Sequence, residues 1–119
     1  MKPLLALALV FLGAAQDQNA RVFGSEEQGV TLPQVVKQVK ADYTREAMQQ
    51  MIEGEVVLDV VVKDDGSVGD VAVKESLDAV YGLDAEAVKA MKQWQFTPGT
   101  KDGKAVNVRV DVKMRFTLR

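Results

Sequence analysis

Gly82-Leu-Asp-Ala-Glu-Ala-Val-Lys-Ala-Met-Lys-Gln-Trp-Gln-Phe-Thr-Pro-Gly99 decides how the rest of the chain is read. Leu83, Ala87, Ala90, Met91 and Trp94 recur at the spacing of one helix face, with Glu86, Lys89, Lys92 and Gln93 on the other. The small residues on the inner face suit a helix lying close against a sheet. Pro98 and Gly99 are expected to end the helical run and aim the chain into a new segment. On this reading Trp94 and Phe96 anchor the underside of the sheet, and the stretch is scaffold.

A long strand follows. After a turn at Lys101-Asp-Gly-Lys104, the residues Val106, Val108, Val110, Val112, Met114, Phe116 and Leu118 alternate with Asn107, Arg109, Asp111, Lys113, Arg115, Thr117 and Arg119. Upstream, Glu55–Lys63 carries apolar residues on both faces, the pattern of a central strand. Asp64-Asp-Gly-Ser67 reads as a hairpin turn with Gly66 taking the positive φ, and Val68–Glu75 is the return strand. The same acidic loop fails the twelve-residue ligand spacing of an EF-hand calcium site. Thr44–Met51 reads as a short helix with Thr44 at its N-cap and Gly54 ending it. Gly29–Val39 is β-branched but interrupted by Pro33, which makes it an extended arm or edge strand. The predicted fold is therefore α+β: a small mixed, largely antiparallel three-stranded sheet in order 2-1-3, two helices on one face, and an N-terminal arm.

Composition narrows function. The 119 residues allow one domain, and 47% hydrophobic content is enough for a core. A net charge of −2 argues against nucleic acid as a partner of the whole chain. With no histidine and no cysteine there are no disulfides, thiolate or imidazole metal sites, cysteine nucleophiles, serine–histidine triads or lipidated cysteine. The carboxylates Asp64, Asp65 and Asp70 are expected at a solvated hairpin end, a poor setting for catalysis. No enzyme, cofactor or metal is predicted.

The first residues read as a targeting segment. Lys2, the apolar run Leu4–Leu12 and the small residues Gly13-Ala-Ala15 form a secretory signal cut after Ala15. The alternative is a short uncleaved anchor over residues 3–16, although the apolar run falls short of the ~20 residues a spanning helix needs. Residues 16–29 read as a flexible lead, and 30–119 as the domain.

In this order the last strand is a sheet edge, a row of unpaired backbone donors and acceptors. Its charged outer residues can protect against aggregation or serve an extended peptide. Both readings stay open on the residues alone.

Five pieces in order carry a resemblance: Gly54-Glu-Val-Val-Leu-Asp-Val-Val-Val, Asp65-Gly-Ser-Val-Gly-Asp-Val, Leu83-Asp-Ala-Glu-Ala, Trp94-Gln-Phe-Thr-Pro-Gly, and Asp102-Gly-Lys before a strand ending in Phe116. Together they resemble the TonB C-terminal domain family. Members often carry Pro-x-Tyr-Pro where this chain has Ala41-Asp-Tyr-Thr44. The resemblance implies a periplasmic, non-enzymatic module whose edge strand adds the TonB box of an outer-membrane TonB-dependent receptor to its sheet. On this sequence the implied contacts are Val106, Asn107, Val108, Arg109, Val110, Asp111, Val112, Lys113, Met114 and Arg115, with Lys40, Asp42 and Tyr43 beside them. Arg109, Lys113 and Arg115 would meet acidic partner residues. An inner-membrane-anchored form facing the periplasm is the alternative location, with membrane contact only through an uncleaved residue 3–16 segment. A free periplasmic domain would bind partners without itself transmitting force. The competing function is a structural domain that self-associates into a homodimer through the same edge.

Overall fold

The computed structural model describes residues 21–118, so the signal-peptide reading lies outside the described residues. The chain runs β1 (Val22–Gly24), β2 (Val30–Thr31), β3 (Gln34–Lys37), α1 (Arg45–Gln49), β4 (Gly54–Val62), β5 (Val68–Glu75), α2 (Leu83–Met91), β6 (Gln95–Thr97), β7 (Gly99–Lys101) and β8 (Lys104–Phe116).

β4 is central because both its faces are apolar: Val56, Val57, Leu58, Val60, Val61 and Val62 are all buried. It pairs antiparallel with β5 on one side and with β8 on the other, Gly54 opposite Phe116 through Val62 opposite Val108. The expected 2-1-3 order is thus present as β5-β4-β8. The sheet is larger than three strands, however. Its path is β2-β7-β8-β4-β5 with β1 attached to β8, and β3 pairs with β6 as a separate ribbon. The extra strands are two to four residues long, too short to show an alternation in sequence. β1 arises within residues read as a flexible lead.

Both helices cover one face. Ala47 of α1 and Leu83, Ala87, Ala90 and Met91 of α2 join Val56, Leu58, Val60, Val62, Met114 and Phe116 in one core. Thr44 caps α1 as expected, its hydroxyl accepting from the Ala47 N–H at 3.1 Å. The left-handed residue that ends α1 is Met51, at φ 55°, rather than Gly54. Gly54 is needed for space: a Cβ there would lie 2.7 Å from Leu77 Cδ1.

α2 ends at Met91, earlier than Pro98 suggested. Gln95–Thr97 leaves the helix as β6, because its partner β3 lies more than fifty residues upstream and supplies the pairing. Two buried aspartates hold the entry to α2. Asp78 accepts from the N–H groups of Val80, Tyr81 and Leu83 at 3.0, 2.8 and 3.1 Å. Asp84 accepts from Leu77 and Asp78 N–H and from the Ser76 hydroxyl. Burial pushes the Asp78 carboxyl up, but the backbone donors of Tyr81, Leu83 and Val80 outweigh it and hold the pKa below its ordinary value.

Candidate peptide-docking edge

β8 is the longest strand, and only one of its two edges is fully used. β4 covers Val108–Phe116 along one edge. Because β1 also pairs with Val108 and Arg109, it must lie on the opposite edge, where Val22, Phe23 and Gly24 face Asn107, Val108 and Arg109 in parallel. β7 takes Lys104, Ala105 and Val106 through a two-residue turn with positive φ at Asp102 and Gly103. The expected strip Val106–Arg115 is therefore shortened at its start by β1, which holds Asn107–Arg109. Among the described residues, no strand pairs with the edge opposite β4 from Val110 to Phe116.

The direction of each backbone group on this edge follows from alternation. At the β4–β5 turn, Lys63 N–H donates to Ser67 and Lys63 C=O accepts from Gly66, both at 2.8 Å, so Lys63 faces β5. Alternation along β4 then turns its even-numbered residues toward β8, and their even-numbered partners in β8 toward β4. The odd-numbered Asp111, Lys113 and Arg115 are left to present N–H and C=O on the open edge. β1 agrees with this. Gly24, opposite Arg109, gives its N–H to Glu27 Oε2 at 2.7 Å and its C=O to Glu27 N–H at 3.2 Å, away from β8.

β5 is another edge of the sheet. It carries two register shifts against β4, and bulges of this kind blunt an edge against pairing. β8 keeps an unbroken register over the same span.

Alongside the C-terminal half of β8 lies a groove of about 750 Å³. Residues 38–43 form one wall and residues 113–117 the other, with Trp94 between them. Lys40, Asp42 and Tyr43 are thereby brought together with Lys113, Met114 and Arg115, whereas Val106–Val112 do not line the groove. Tyr43 is fixed by its hydroxyl donating to Ile52 C=O and by an edge-on contact with Phe116, ring centroids 5.5 Å apart. Burial, and then the Glu53 carboxylate, raise its pKa. Trp94 was assigned to the core from its helical spacing. It is buried, yet it also lines the groove and donates Nε1–H to Val39 C=O at 2.9 Å.

The outer sheet face is a ladder of ion pairs. Asp59 and Asp111 stand opposite each other, bracketed by Arg109 on Asp59 at 2.9 Å and Lys74 on Asp111 at 2.7 Å. The Asp111 hydrogen bond raises the Lys74 pKa. Arg115 meets Glu55 at 3.3 Å. Arg109 and Arg115 are thus already engaged, whereas Lys113 forms no ion pair among the described residues. Among these residues no group of carboxylates could hold a metal ion, and no helix is long and apolar enough to cross a membrane.

The model of the Gram-negative bacterial TonB protein C-terminal family matches residues 39–118. The chain belongs to the TonB C-terminal domain family. Among similar proteins, Protein TonB of Vibrio cholerae is 34% identical over 87 residues, covering 71% of this chain and 34% of that protein. Protein tonB2 of Pseudomonas aeruginosa is 38% identical over 77 residues, covering 65% of this chain and 28% of that protein. The chain thus spans about a third of the length of these curated relatives. The solution structure of the Pseudomonas aeruginosa TonB C-terminal domain has the same fold, with TM-score 0.60 at 24% identity over 84% of this chain and 97% of that one.

Proposed function

We propose that this TonB-family domain binds a short extended segment of an outer-membrane receptor, its TonB box, by adding it as a strand to the open edge of β8. The reading places the chain in TonB-dependent transport as a periplasm-facing binding module rather than an enzyme. The observation that carries it is the Val110–Phe116 edge, unbulged and unpaired among the described residues, running beside the groove walled by residues 38–43. Backbone groups of Asp111, Lys113 and Arg115 supply hydrogen bonds that do not depend on partner sequence. The ammonium of Lys113, in no ion pair among the described residues, and Lys40 across the groove favour an acidic side chain in the docked segment.

Titrating the labelled domain with a TonB-box peptide tests this directly. Amide shifts should concentrate at Val110–Phe116 and at Lys40–Tyr43. A peptide that binds and leaves both stretches unmoved places docking elsewhere. Should the same edge instead join two copies, light scattering will show a dimer that the peptide does not dissociate.

A further inference from the structure

We propose that β1 and the turn after it form a fixed stop at one end of the docking edge, limiting the added strand to about seven residues and setting its register. This rests on the strand-addition reading above and concerns what bounds it.

The stop lies on the right edge, since β1 and β4 flank the same two residues of β8 from opposite sides. It is also tied down, chiefly by Glu27. The Glu27 carboxylate accepts from Arg21 at 3.1 Å and from Gly24 N–H at 2.7 Å. Its own backbone N–H donates to Gly24 C=O and its C=O accepts from Val30, both at 3.2 Å. The Arg21 guanidinium covers the Phe23 ring at 4.1 Å, and Asn107 Nδ2 donates to Arg21 C=O at 3.4 Å. On the far side of the turn, Val30 and Thr31 pair with β7, and Asp102 N–H donates to Gly29 C=O at 3.0 Å. A segment held at both ends does not behave as a loose tail that an incoming peptide sweeps aside.

Where β1 ends, the turn residues Gly24, Ser25 and Glu26 share a cavity of about 270 Å³ with Lys74, Arg109, Val110 and Asp111, so the turn stands against the start of the open stretch of β8. Seven residues at the strand rise span ~23 Å, so a longer segment runs into the β1 turn instead of gaining ladder bonds. Releasing β1 would uncover the outward backbone groups of Asn107 and Arg109.

The test uses the full chain, its Phe23→Pro and Glu27→Ala variants, and three synthetic peptides. One is a seven-residue TonB-box peptide from a receptor of the same organism; two are ten-residue versions extended at either end. Titration calorimetry should give the three peptides equal affinity for the unaltered chain, within about twofold. On either folded variant, the peptide extended toward β1 should bind about fivefold tighter than the seven-residue one, the worth of one or two added backbone bonds. New amide shifts should then appear at Asn107–Arg109. Phe23→Pro acts through the β1 ladder and Glu27→Ala through the turn, so misfolding of one leaves the other to decide. The stop is overturned if the extended peptide gains as much on the unaltered chain, or gains nothing on a variant whose Asn107 and Arg109 amides exchange freely. Absence of any peptide effect at Val110–Phe116 overturns the docking reading itself.

Discussion

Trp94 Nε1–H donates to the carbonyl of Val39 at 2.9 Å, joining the exit of α2 to the strandless wall of the groove beside β8 across 55 residues of sequence. The helix therefore does more than cover the sheet. Trp94, three residues past its end, fixes where residues 38–43 stand relative to β8.

Trp94→Phe keeps an aromatic ring in place and removes this bond. Denaturant unfolding should show a loss of about 1 kcal/mol, the net worth of one hydrogen bond. Peptide affinity should fall further than stability predicts, because the wall at Val39–Tyr43 is released. Equal affinity in the variant would make Trp94 a core residue only.

Asp78→Asn tests the cradle that starts α2. An amide cannot accept from all three of Val80, Tyr81 and Leu83 as the carboxylate does, and the cost at neutral pH should be about 1–3 kcal/mol. The folded-state pKa of Asp78 is held below its ordinary value of 3.8. Its stabilisation is therefore complete above that value and is lost as pH falls through the lower folded pKa. Urea titrations should show the gap between the two proteins at its widest at neutral pH and narrowing below pH 3.8. A gap independent of pH would assign the effect to something other than this charge.

Gly66→Ala tests the turn beneath β6. Gly66 has φ 88°, and a Cβ there would lie 2.1 Å from the Phe96 carbonyl oxygen. That oxygen is backbone and cannot swing aside, and Phe96 N–H donates to Gly66 C=O at 2.9 Å. The substitution should lower stability by about 3 kcal/mol, combining left-handed strain with the clash. A loss below about 1 kcal/mol in thermal or urea unfolding would mean that β6 is free to move away.

The parts of the fold legible in sequence are those with a period. β8 announces itself by alternation, β4 by apolar residues on both faces, and the Asp65-Gly66 turn that leads into β5 by its glycine. β1 is hidden because Val22, Phe23 and Gly24 show no alternation and acquire a partner only 85 residues away at Asn107–Arg109. β6 and β7 are hidden in the same way behind Pro98. Met51 gives no sequence sign of its left-handed turn, since that role ordinarily goes to glycine. The groove wall Lys40–Tyr43 carries no chemical signal and was indicated by family resemblance alone. Trp94 did carry one, its indole N–H, which a buried tryptophan must satisfy. The shortened edge could not be read from the residues, because it depends on which strands reach β8.

Strand addition itself is tested by proline placed at adjacent positions of β8. Lys113 directs its N–H to the open edge, whereas Val112, opposite Leu58, directs its own to β4. Lys113→Pro should leave the domain folded and weaken TonB-box peptide binding about tenfold relative to Lys113→Ala, which loses only the side chain. Val112→Pro should break the β4 ladder and destabilise the fold. A Lys113→Pro domain that is folded and binds the peptide as tightly as Lys113→Ala would contradict docking by backbone pairing on this edge.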